Sequence, residues 1–206
     1  MRRPALRILT LAAAASTFVA LGSIAVPAAS ADTLITATYP VSGSTFLKAI
    51  NTTIPLGPGK LSSTVDINTG AITASTLTLP PATGTFKALG FIPVSATTSI
   101  NPVGTATGTV NFSKNTVSVT TQANMQITSM SVAGIPILVG SHCQTRTPIS
   151  LTVNSQAGFN VLNGGVVAGT YTIPPFSNCG LATLLINLVI PGSGNTISLT
   201  LGKATL

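Results

Sequence analysis

The sequence predicts an all-β fold: an antiparallel β-sandwich or partly open barrel of about nine or ten strands, with one short helix near the C-terminus. Three observations carry this. From Val117 to Val139 every odd position is small or apolar, and from Ser118 to Thr128 every even position is polar and uncharged, which is the side-chain period of a half-buried strand or a bent strand pair. Glycine, proline and asparagine clusters punctuate the chain at the spacing of short antiparallel strands. One segment alone, Leu181–Ile190, places its apolar residues at helical offsets.

Taken in order, Thr45–Leu56 reads as a first strand through Phe46, Ile50, Ile54 and Leu56, closed by Gly57-Pro58-Gly59. Leu61–Ile67 and Ala71–Leu79 form a hairpin around residues 66–70, where Gly70 can supply a positive φ. In its second arm Ile72 and Ala74 share one phase while Leu77 and Leu79 share the other, the slip that a β-bulge produces. Phe86, Ala88, Ile92, Val94, Ala96, Thr98 and Ile100 hold one phase through Pro93, which points to an edge or a bulge. Asn101-Pro102-Val103-Gly104 is read as a turn, Ala106–Phe112 as the returning strand, and Ser113-Lys114-Asn115 as the next turn. After Met130 the even positions turn apolar as well, as on passing from a sheet surface into a core, and the chain is delivered to Cys143. Ile149–Val153, Tyr171–Ile173 and Ile197–Leu201 supply the last strands. Between the final two, Pro191, Gly192 and Gly194 stop the Leu181–Ile190 helix.

The first thirty-one residues read as a secretory signal peptide: a basic start (Arg2, Arg3, Arg7), an apolar stretch from Ile8 to Val26, and the small-residue site Ala29-Ser30-Ala31. The competing reading is an uncleaved membrane anchor, against which Pro27 and the Ala-Ser-Ala site speak. The expected mature chain, 32–206, suits a single domain. Its side chains carry +4, six separated cations (Lys48, Lys60, Lys87, Lys114, Arg146, Lys203) against Asp32 and Asp66. Without a basic run to track a phosphate backbone, nucleic acid is not an expected partner. Only 5% of the residues are charged, so the solvent-facing surface must be built of Thr, Ser, Asn and Gly. Such a surface suits an exported or envelope-associated protein, with an envelope polymer, a lipid or another surface protein as the partner classes. Cys143 and Cys179, the only cysteines, are expected to form a disulfide in that compartment.

The run Gly134–Pro148 around Cys143, the run Gly169–Gly180 around Cys179, and Pro191-Gly-Ser-Gly-Asn195 resemble uncharacterised secreted all-β proteins of actinobacteria. That resemblance spans most of the mature chain and implies a cell-envelope or extracellular setting without an activity.

The residues offer little for catalysis. Acid–base or triad chemistry needs a base or carboxylate beside a nucleophile. The mature chain has His142, Asp66 and Asp32, and no G-x-S-x-G elbow. His142 and Cys143, being adjacent on an extended segment, point to opposite faces. Two acids and one histidine are too few for a zinc or calcium site, and no cofactor motif occurs. A non-enzyme is expected. Trp is absent, and Phe46, Phe86, Phe91, Phe112, Phe159 and Phe176 mostly fall in phase with core positions, leaving Tyr39 and Tyr171 as the amphipathic rings. Three roles then remain. The first is a non-catalytic interaction or structural module. The second is a carrier of a lipid or other small apolar ligand, with Leu181, Leu184, Leu185 and Leu188 as a lid over its cavity. The third is an oligomeric envelope pore lined by the polar face of Ser118–Thr128.

Overall fold

Alternating inward and outward side chains, sustained over long strands, force this chain to curl its sheet around one apolar interior. The computed structural model describes residues 33–206; the expected signal peptide (1–31), its cleavage site and Asp32 lie outside the described residues. The elements are β1 (Leu34–Leu47), β2 (Thr52–Asp66), β3 (Ala71–Thr78), β4 (Ala82–Ala88), β5 (Ile92–Asn111), β6 (Thr116–Val132) and β7 (Ile135–Ile137). They continue with β8 (Gln144–Thr145), β9 (Ile149–Ser155), β10 (Gly165–Ile173) and β11 (Phe176–Ser177). A 3-10 turn at Gly180–Ala182 leads into α1 (Thr183–Val189), and β12 (Gly192–Leu201) closes the chain.

Neighbouring strands run β6-β9-β10-β12-β1-β2-β3-β5, and β5 returns to β6, so eight antiparallel strands close a barrel. The expected sandwich or partly open barrel is corrected to a closed one. Alternation alone cannot separate these architectures, because each needs one inward and one outward face; the β5–β6 ladder, from Val94↔Val132 to Asn111↔Thr116, decides it. The described residues form twelve strands rather than nine or ten, partly because β7, β8 and β11 are too short to show a period.

Three local expectations are also corrected. Thr45–Leu56 is not one strand: β1 ends at Leu47, and β2 continues through Gly57-Pro58-Gly59, where the register with β1 shifts at Val41/Gly43. Phe86–Ile100 is a hairpin, β4 and β5, whose three-residue connection at Leu89–Phe91 preserves the phase and so hides the turn. Residues 101–104 do not turn the chain; β5 runs through them, with a register shift against β6 between Val103 and Thr107. The second hairpin arm does carry a bulge, but between Ile72 and Ala74 rather than after Ala74: Val65 pairs with Ile72 and Thr64 with Ala74.

The two ends of the barrel differ. One carries the β1–β2 and β4–β5 turns, the β7–β8 loop and α1; the other carries the β2–β3 and β5–β6 turns and the β9–β10 loop. Two apolar clusters follow this division. Ile127, Met130, Ile173, Phe176, Ile186, Ile190 and the disulfide fill the helix end, while Tyr39, Leu56, Phe159, Val167 and Leu199 belong to the second cluster. Outside, where charge is scarce, cross-strand hydroxyl pairs line the wall: Thr36–Thr64 at 2.8 Å, Thr83–Thr97 at 2.9 Å and Thr120–Thr152 at 2.9 Å.

Candidate functional site

The odd-numbered face of β6 points inward. Val117, Val119, Thr121, Ala123, Met125 and Ile127 line a cavity of about 220 Å³ inside the barrel. Leu61 and Val65 from β2, Leu77 from β3, Leu151 and Val153 from β9, and Ile197 and Leu199 from β12 complete much of the wall. The space is not filled by its lining. Val119, Ala123, Leu61, Leu77 and Leu151 face inward yet stay half-exposed, whereas close packing would bury them.

Several of the polar side chains in the lining already have partners. The Thr45 hydroxyl donates to the Thr196 carbonyl (2.9 Å) and lies 2.6 Å from the Tyr171 hydroxyl, which can therefore donate to it. Tyr39 donates to the Val161 carbonyl at 2.8 Å. Burial pushes both phenols above their ordinary ionisation range, so they stay neutral. The tyrosines expected as the amphipathic rings are thus buried by their bodies and tied by their tips. Among the phenylalanines, Phe86, Phe159 and Phe176 are buried as expected, and Phe91 and Phe112 are exposed.

The wall is weakest at one seam. β3 pairs with β5 only through Ala71↔Thr109 and Ile72↔Gly108, although β3 continues along β2 as far as Thr78. Beyond Pro80-Pro81 the chain rejoins β5 as β4, from Ala82↔Thr98 onwards. Between these contacts, residues 99–106 of β5 have no ladder partner on that side. Cavity-lining residues flank the seam: Ser75, Leu77 and Leu79 on one side, Pro102, Gly104 and Ala106 on the other. Gly104 has φ +70° and open space where a Cβ would stand. Pro102 has no N–H to leave unpaired at this edge.

At the helix end the cavity is closed by Phe176, Tyr171 and Ile190, with Ile186 packed in the same cluster. Asn187 fixes α1 to β11 through two bonds, accepting from the Phe176 amide (2.7 Å) and donating to its carbonyl (3.0 Å). Cys143 and Cys179 form the expected disulfide, with Cα atoms 4.3 Å apart, and both are fully buried. The bridge ties the β7–β8 loop to the entry of the helix.

Of the four leucines expected as a lid, only Leu185 packs against the core. Leu181, Leu184 and Leu188 point outward, at 97%, 85% and 68% exposure, and do not line the cavity. The helix does close the barrel end, but through Ala182, Ile186 and Ile190, which lie on its opposite face. A helix hydrophobic nearly all round gave no means of telling which leucines face in.

His142 lies in the exposed loop at the helix end and Asp66 in the β2–β3 turn at the other, so the chain does not bring them together. Asp66 accepts from the Thr69 hydroxyl (2.7 Å) and the Asn68 amide (2.9 Å), and these bonds hold its carboxyl below the usual carboxylate range. It organises a turn. Among the described residues no group of three or more His, Cys, Asp or Glu could hold a metal ion, and no helix is long and apolar enough to cross a membrane. The interior, then, offers shape and apolar contact. Comparison with family models, with curated proteins and with solved structures finds no match.

Proposed function

We propose that the protein is an exported, non-catalytic carrier that holds a small apolar molecule, or a single hydrocarbon chain of a larger lipid, in the barrel lumen. The observation that carries this reading is the unfilled apolar cavity within a closed wall. Burying apolar ligand surface there is favourable by roughly 25 cal/mol per Å². A dry apolar cavity of roughly 150 Å³ can bind a benzene-sized molecule, while drug-sized ligands use about 300–1,000 Å³. At about 220 Å³ this lumen suits a ligand between those limits. Entry through the β3–β5 seam breaks no ladder bond between residues 99 and 106, unlike entry across the long β1–β2 or β5–β6 ladders.

The disulfide agrees with an oxidising, extracytoplasmic setting. The polarity of the wall weighs against the pore reading. Membrane barrels are apolar outside, whereas here the Ser118–Thr128 polar face is the outer one and the lumen is apolar. An interaction module needs no such cavity.

The test is titration of the protein with an apolar fluorescent probe, beside an Ala123→Phe variant that places a ring in the lumen. The wild type should bind, and the variant should bind at least about tenfold more weakly while melting no lower. Equal binding by both proteins, or none by the wild type, overturns the proposal.

A further inference from the structure

The three most exposed large apolar side chains, Leu181, Leu138 and Leu184, sit at the helix end; Leu34, Ile35, Ile67, Phe112, Leu162 and Leu206 are exposed elsewhere, and less so. Leu138, in the loop after β7, is 92% exposed and joins the outward leucines of the helix segment, Leu181, Leu184 and Leu188. These groups are neighbours: the Leu138 carbonyl lies 3.8 Å from where a Cβ of Gly180 would stand, and the buried disulfide fastens one segment to the other. The β4–β5 turn adds Leu89 and Phe91 at the same end, and β7 adds Ile135. A short, fixed segment, the 3-10 turn and α1, that turns three leucines to water gains nothing for its own fold by doing so.

The charge of this end has one sign. Lys48 in the β1–β2 turn, Lys87 at the end of β4 and Arg146 after β8 are all exposed there. Asp66, the acidic side chain among the described residues, sits in the β2–β3 turn at the far end. Apolar side chains and cations at one end, with no acid among the described residues there, match the hydrocarbon and headgroup layers of an anionic lipid surface. A second copy of the chain fits worse, because an isologous contact would bring cations against cations. We propose that the helix end docks on an anionic lipid surface, with Leu138, Leu181, Leu184 and Leu188 entering the interface and Lys48, Lys87 and Arg146 meeting the headgroups. This docking does not depend on what the lumen holds.

The experiment is co-sedimentation of the protein with phosphatidylglycerol–phosphatidylcholine vesicles and with phosphatidylcholine vesicles alone. The protein should partition onto the anionic vesicles, and less so as salt is raised. Replacing Leu138, Leu181, Leu184 and Leu188 together by Ser should lower that partition at least about tenfold. A second variant, Lys48→Gln, Lys87→Gln and Arg146→Gln, leaves the apolar groups in place and should lose the preference for anionic vesicles. Apolar-probe binding in solution should survive in both, and Ala123→Phe should still bind vesicles, which separates this proposal from the carrier reading. Absence of vesicle binding by the wild type, or undiminished binding by the two variants, overturns it. So does a dimer in sedimentation equilibrium that the Ser substitutions abolish.

Discussion

Removing the Cys143–Cys179 bridge by a double Ser substitution releases the one covalent tie between the β7–β8 loop and the helix segment that closes the cavity. The sequence separation is 36 residues, for which the chain-entropy relation gives about 4 kcal/mol of lost stability. For a domain of this size each kcal/mol moves Tm by about 2–4 °C, so the melting point should fall by about 8–16 °C. The loss should also have an address. Gly180–Ile190 is held otherwise by Ile186, Ile190 and the Asn187 bonds to Phe176, whereas the barrel strands are held by continuous ladders. Amide exchange should therefore rise first in 180–190 and leave the β5–β6 ladder protected. Thermal denaturation and hydrogen exchange on the wild type and the double variant read both quantities. A Tm change below about 2 °C, or exchange rising evenly around the barrel, would refute the role given to the bridge.

Ile186→Ala empties the buried face of α1 and should cost about 2–5 kcal/mol in denaturant unfolding, since Ile186 has no solvent exposure, while Leu184→Ala on the outer face should cost under about 0.5 kcal/mol. Tyr171→Phe removes the hydroxyl that meets Thr45 but leaves Thr45 its bond to Thr196, so about 1 kcal/mol should be lost, read by the same denaturation. Asp66 has a folded-state pKa below its unfolded value, chiefly through the Thr69 hydroxyl. Its contribution should be complete above about pH 5 and fade as pH falls through about 4 and below. Asp66→Asn should flatten that part of the stability–pH curve, and an unchanged curve would remove the turn from the account.

The sequence made the wall legible and left its closure obscure. The Val117–Ile127 alternation is the lumen-facing face of β6 and the 66–70 turn is where the pattern puts it, while the bulge beyond falls between Ile72 and Ala74, a step earlier than the phase slip suggests. Period two, however, has no memory of a turn that preserves phase, which is why the Leu89–Phe91 connection was masked and Asn101–Gly104 looked like a turn when it is a shift within β5. Closure depends on which strand meets which, and that information lies in long-range register rather than local pattern. The cavity was equally hidden. Val119, Ala123 and Leu151 are ordinary core residues by type, and only their half-exposed state inside the barrel shows that nothing in the chain meets them. The helical offsets reveal the helix but not its inward face, because Leu184 and Ile186 are equally apolar and packing alone separates them.

The most direct test of the carrier account is mass spectrometry of an organic extract of the protein purified from the medium or envelope of its own producing cell. The account predicts one apolar species, or a narrow set of them, released in near-equimolar amount from the wild type and at least about tenfold less from Ala123→Phe purified in parallel. An extract with no such species from a folded wild type, or one equally rich from the filled variant, would contradict it.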